Sequence, residues 1–192
     1  MKFASRAVRA VSIVASALVV ANCGAGGIDS SLSSPISNND TYATIGYLWS
    51  GARSAILSKR EPSTDSFNLP LSYQLPCTRG GSGSFQGTLS GTKSAGRGSA
   101  TLAMTATVSA CQFDDITVVR TVSASGVTVT GTVAIVNDTW DVINIHLVAP
   151  TVTINGVVCP GGVDVMITGA SPSAQPISTG TSCGRTGAVP LP

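Results

Sequence analysis

Between Ala100 and Ala110 the chain alternates with a period of two. Ala100, Leu102, Met104, Ala106, Val108 and Ala110 fall on one side of an extended backbone, while Thr101, Thr105, Thr107 and Ser109 dominate the other. Successive side chains of a strand point to opposite faces, so this pattern demands a strand with one face on a core and one in water. Val127 to Ile135 repeats it, with Val127, Val129, Gly131, Val133 and Ile135 opposing Thr128, Thr130, Thr132 and Ala134. Ser125-Gly126 before it reads as a hairpin turn, because glycine supplies positive φ without steric cost. Ile116 to Ala124 reads as a further strand interrupted by Arg120, either an inward charge guarding an edge or the mark of a bulge.

The same logic extends both ways. Ser84 to Thr92 makes a first strand, Asn137-Asp138-Thr139 a turn, and Val142 to Ala149 a strand that Pro150 ends or bends. Asn155-Gly156 closes a hairpin within Val152 to Val158, and Val163 to Thr168 follows. The expected fold is mainly β: one antiparallel sheet of about six to seven strands over residues 77–169, as a curved sheet, half-barrel or sandwich. Two glycine pairs echo each other. Cys77-x-x-Gly-Gly leads into the first strand and Cys159-x-Gly-Gly into the last.

Upstream the period changes to that of a helix. Ile45, Leu48, Trp49, Ala52 and Ile56 share one face of an α-helix over about 41–58, capped by Asp40 or Thr41. Gly46 and Gly51 each weaken it by up to about 1 kcal/mol relative to Ala, so it depends on packing its apolar stripe against the sheet. Residues 59–76 contain Pro62, Pro70 and Pro76 and read as a connector with a short edge strand at Leu71 to Gln74. Residues 23–39 are Gly- and Ser-rich and form a tether, and 170–192 form a Pro/Gly/Ser tail. One domain over 40–169 accounts for the rest.

The first 22 residues carry Lys2, Arg6 and Arg9, then an apolar run of twelve residues from Ala10 to Ala21, then small residues. That is the layout of a secretory signal, too short to span a bilayer, which takes about 20 residues. Val20-Ala21-Asn22-Cys23-Gly24 resembles the lipobox of bacterial lipoproteins. The resemblance implies that Cys23 becomes the lipidated, palmitate-bearing first residue of the mature chain. Gly24 after it implies outer-membrane sorting or anchorage at the periplasmic face of the envelope, the alternative being a soluble periplasmic or secreted protein.

Five cysteines are an odd number for an exported chain. Setting Cys23 aside leaves Cys77, Cys111, Cys159 and Cys183, four disulfide candidates with three connectivities open. The inward residues of the β block are small, so each contributes less than the roughly 1.5–3 kcal/mol of a buried large side chain. Two disulfides at about 2–4 kcal/mol each then weigh heavily against a net stability of about 5–15 kcal/mol.

Reactive residues are few. Without the three signal-segment cations the chain holds eight basic residues against nine acidic ones, which excludes the basic footprint of a nucleic-acid binder. His146 is the one histidine, shares a strand face with Asn144, and reads as a surface residue rather than a catalytic base or metal ligand. Asp114 with Asp115 and Asp138 with Asp141 fall at expected turns, where aspartate serves local hydrogen bonding. They leave a hydrolase as a distant third reading. Gly80, Gly81 and Gly83 lack the following helix that a phosphate loop needs. Trp140, between Asp138 and Asp141 in an expected loop, is a candidate ligand contact. The expected role is therefore non-catalytic binding or structural work at the envelope, without metal or cofactor, the membrane reached through the lipid and an envelope protein as partner. The alternative is a carrier holding a lipid or other apolar ligand between helix and sheet.

Overall fold

The computed structural model describes residues 36–59, 65–115, 118–169 and 175–191, the side chains of 115, 142, 143 and 190 excepted. Helix α1 spans Asn38–Leu57. The strands are β1 Ser66–Gln74, β2 Gly80–Ser94, β3 Arg97–Asp115, β4 Val118–Val136, β5 Thr139–Ala149, β6 Thr151–Ile154, β7 Val157–Val158, β8 Val163–Thr168, β9 Ile177–Ser182 and β10 Arg185–Pro190. All ten belong to one antiparallel sheet that stays open, with β1 and β10 at its edges. The sheet is larger than the expected six to seven strands; most pairs join consecutive strands, but β5 also pairs with β8 and β4 with β6.

Three features depart from the expected strands: β1 runs over nine residues where a connector with a short edge strand at Leu71 to Gln74 is expected, and the other two lie at Gly126 and in the tail. Ser125-Gly126 is no hairpin. The chain runs straight on as β4, with Gly126 at φ +66°, and the inward set shifts from Arg120, Val122 and Ala124 to Val127, Val129 and Val133. A phase break of this kind is a bulge, which in sequence looks like a turn. The tail, expected to be irregular, instead forms the hairpin β9–β10 and extends the sheet beyond β8.

The irregularities line up across the sheet. The β2–β3 register shifts between Gly80 and Ser82, and a Cβ on Gly81 would lie 2.0 Å from the Ala110 carbonyl oxygen. Ala110 itself has φ +44°, and its N–H donates to the Ser123 hydroxyl at 2.9 Å. Gly126 on β4 sits beside Pro150, which separates β5 from β6 although both pair with β4. A Cβ on Gly162 would lie 2.3 Å from the Ala149 carbonyl oxygen, and the Gly162 oxygen accepts from the Cys183 N–H at 2.8 Å. These residues form a crease from β2 to the turn between β9 and β10. Glycine is required at 81 and 162 both by the positive φ and by the backbone pressed against them.

Disulfides flank the crease. Of the three connectivities the chain uses Cys77–Cys111 and Cys159–Cys183. The Cys-Gly-Gly echo has a structural counterpart, since the Gly80 N–H donates to the Cys77 carbonyl and the Gly162 N–H to that of Cys159, each closing a tight turn.

The helix lies against the sheet face formed by Leu71, Phe85, Leu89, Leu102, Val129, Ile145 and Leu147, all buried. Its expected stripe, Ile45, Leu48, Trp49, Ala52 and Ile56, is at most 1% exposed. It begins earlier than expected. Ser37 is the N-cap, its hydroxyl oxygen accepting from the Asp40 N–H at 3.1 Å while its O–H donates to the Asp40 carboxylate at 2.6 Å. A Cβ on Gly51 would stand 2.5 Å from Leu75 Cδ2 and 2.6 Å from Phe85 Cε2, so this glycine lets the helix seat closely on the sheet. Farther along, Tyr47 stacks on Phe113 with ring centroids 3.9 Å apart, and its hydroxyl donates to the Cys111 sulfur at 3.2 Å. Burial, and to a lesser degree Tyr73, push the Tyr47 phenol up, so it stays neutral.

Candidate functional site

The inner face changes character toward the C-terminal edge. On β5 and β8 the positions facing the helix carry Ile145, Leu147, Val165 and Ile167; on β9 they carry Ser178, Gly180 and Ser182, and on β10 Gly187. Small residues under the first helical turns leave a cleft of about 340 Å³, open mouth included. Thr41, Tyr42 and Ile45 of the helix form one wall, Val165 and Val189 contribute aliphatic surface, and Arg185 reaches in from β10, where the next residue, Thr186, turns its hydroxyl to Thr181 on the outer face.

Charge is placed with care around it. Arg185 Nη2 donates to the Ile36 carbonyl at 3.0 Å, just before the helix starts. Asp40 in the first turn accepts from Arg120 Nε at 2.9 Å, and Arg120 is only 4% exposed. The Ser37 hydroxyl and then Arg120 hold the Asp40 carboxyl below its ordinary value of 3.8, against the opposing pull of partial burial. Arg120 is thus an inward charge matched by a helix carboxylate.

The residues singled out by sequence lie elsewhere. Trp140 is not in a loop: the turn is closed by Asn137 and Asp138 alone, and Trp140 is the second residue of β5, 6% exposed. Its indole N–H donates to the Lys59 carbonyl at 2.9 Å and its ring meets Phe67 edge-on, so it pins the end of the helix to the sheet. That burial argues against a stacking surface for ligand. His146 lies on the opposite, solvent-facing side, its Nε2 2.7 Å from the Asp164 carboxylate across β5 and β8. Thr130 stands opposite it in register, yet no hydroxyl among the described residues bonds to the ring.

Asp114 pairs with Arg79 at 2.8 Å and accepts from Thr78. Asp138 pairs with Lys93, and Asp141 keeps one buried carboxylate oxygen without a partner. Asp114, Asp138 and Asp141 thus make separate contacts, the Asp115 side chain lies outside what is described, and no cluster of three metal-ligating side chains occurs among the described residues. The glycines of 79–83 run directly into β2. Cys23 lies outside the described residues.

Sequence reasoning did name the seam between helix and sheet, but not the residues of the cleft. Ser178, Ser182 and Arg185 belong to the tail, where no apolar alternation announces a strand. Among the described residues no helix is long and apolar enough to cross a membrane. No protein-family model, curated protein or solved structure matches the chain.

Proposed function

We propose that the protein is exported, anchored by lipid on Cys23, and presents its β domain at the bacterial envelope as a non-catalytic binding module. One observation carries this reading: the four cysteines of the domain pair with each other, leaving Cys23 as the odd thiol at the lipobox position. Disulfides persist in oxidising compartments, which agrees with export. Gly24 after the cysteine favours the outer membrane. Metabolic labelling with a palmitate analogue tests the anchor. The wild-type chain takes the label and partitions with membranes, whereas Cys23→Ser is unlabelled and soluble; equal labelling of both would sink the proposal.

The cleft favours a second reading, that of a carrier. It lies between helix and sheet, combines aliphatic walls with buried hydroxyls, and opens to solvent beside Tyr42. Elsewhere the seam is tightly packed, as at Gly51, so cargo would enter at the N-terminal end of the helix.

A further inference from the structure

Ser178 and Ser182 are more than nine-tenths buried and line the cleft. Ser178 donates to the Val189 carbonyl at 3.2 Å. Among the described residues the Ser182 hydroxyl meets only the Cys183 sulfur at 4.0 Å, beyond the range of a good hydrogen bond. A buried hydroxyl in that state retains most of its hydrogen-bonding capacity, and leaving it unmet costs free energy. Arg185 adds a guanidinium with five donors, of which one is given to Ile36. Among the described residues no carboxylate lines the cleft, and Asp40 in the adjoining helix turn is committed to Ser37 and Arg120. The floor has space at Gly187, where an added Cβ would meet nothing within 4 Å.

The geometry points to a binding site for a compact aliphatic carboxylate, its head on Arg185 and the serine hydroxyls, its alkyl part against Ile45, Val165 and Val189. Guanidinium donors match the two oxygens of a carboxylate. A phosphate would turn further charged oxygens onto the aliphatic wall, where nothing compensates their desolvation. This assignment deepens the carrier reading and rests on it.

Calorimetric titration of the full chain purified from the envelope, with hexanoate, methyl hexanoate and inorganic phosphate, tests the site. Hexanoate binds saturably and at least about tenfold more tightly than its ester, the effect of one lost charge-assisted contact. Gly187→Leu fills the floor and weakens hexanoate at least about tenfold with an unchanged melting temperature, since the new side chain enters open space. Arg185→Gln weakens it similarly. Because that change also releases Ile36, Gly187→Leu is the variant that separates ligand contact from fold. The site is refuted if hexanoate gives no saturable heat at millimolar concentration, if the ester or phosphate binds as well, or if Gly187→Leu leaves affinity intact. Lipid labelling of Cys23 is read independently, so a labelled chain that ignores hexanoate loses this site and keeps its anchor.

Discussion

Arg120 is a cation buried on a strand face that is otherwise aliphatic, and Asp40 answers it from the first turn of the helix. Removing one partner of a charge pair largely withdrawn from water costs on the order of a few kcal/mol. Asp40→Asn should therefore cost about 3 kcal/mol in urea unfolding, whereas an exposed pair such as Arg79–Asp114 should cost under about 1 kcal/mol when broken. The acid limb follows from the same carboxylate. Its folded pKa lies below the ordinary 3.8, so its stabilisation is complete above that value and fades as pH falls through the folded pKa. Acid titration of stability below pH 3.8 should show a smaller loss in Asp40→Asn than in the wild type. Gly51 offers a second test. Alanine gains about 1 kcal/mol of helix propensity but forces Leu75 and Phe85 aside, and overpacking costs about 1–3 kcal/mol, so Gly51→Ala should lower the melting temperature. A raised one would mean that the helix can lift without cost.

The elements were legible in proportion to how far their own residues specify them. Ala100 to Ala110 carries an alternation that no helix accommodates, and the Ile45 to Ile56 stripe one that no strand does; both are present. The Asn155-Gly156 hairpin was likewise readable from its turn chemistry, with φ +51° and +82°. The length of β4 was not, because a bulge and a turn both interrupt the phase, and only the partner strand decides between them. The β9–β10 hairpin was hidden because its inward positions are Ser178, Gly180 and Ser182, and it gains its place from pairing with β8 and from a disulfide. Trp140 was misplaced by its aspartate neighbours, since the turn needs only two residues. Cys159→Ser with Cys183→Ser should accordingly act locally. Closing a 24-residue separation is worth about 3 kcal/mol, and hydrogen exchange should accelerate across β9 and β10 while β2 to β5 stay protected. Uniform acceleration would show instead that the hairpin is integral to the core.

At the scale of the whole chain, two disulfides of separation 34 and 24 are together worth about 6–8 kcal/mol, a large part of an ordinary net stability. Reduction should unfold the protein at ambient temperature or bring its urea midpoint close to zero, as read by circular dichroism; a midpoint shifted by less than about 1 M would show that the core suffices alone. The sheet is a meander apart from the β5–β8 and β4–β6 pairs, so most strand pairs close over short loops, while the helix must reach strands as distant as β5 and β6. The point where the chain enters the domain therefore matters mechanically. Ile36 is clasped by Arg185 from the final strand, and four residues later Asp40 is clasped by Arg120. A pull along the leader thus loads the last strand and the fourth at the same moment, and the two ends of the polypeptide share the tension that a membrane tether would deliver.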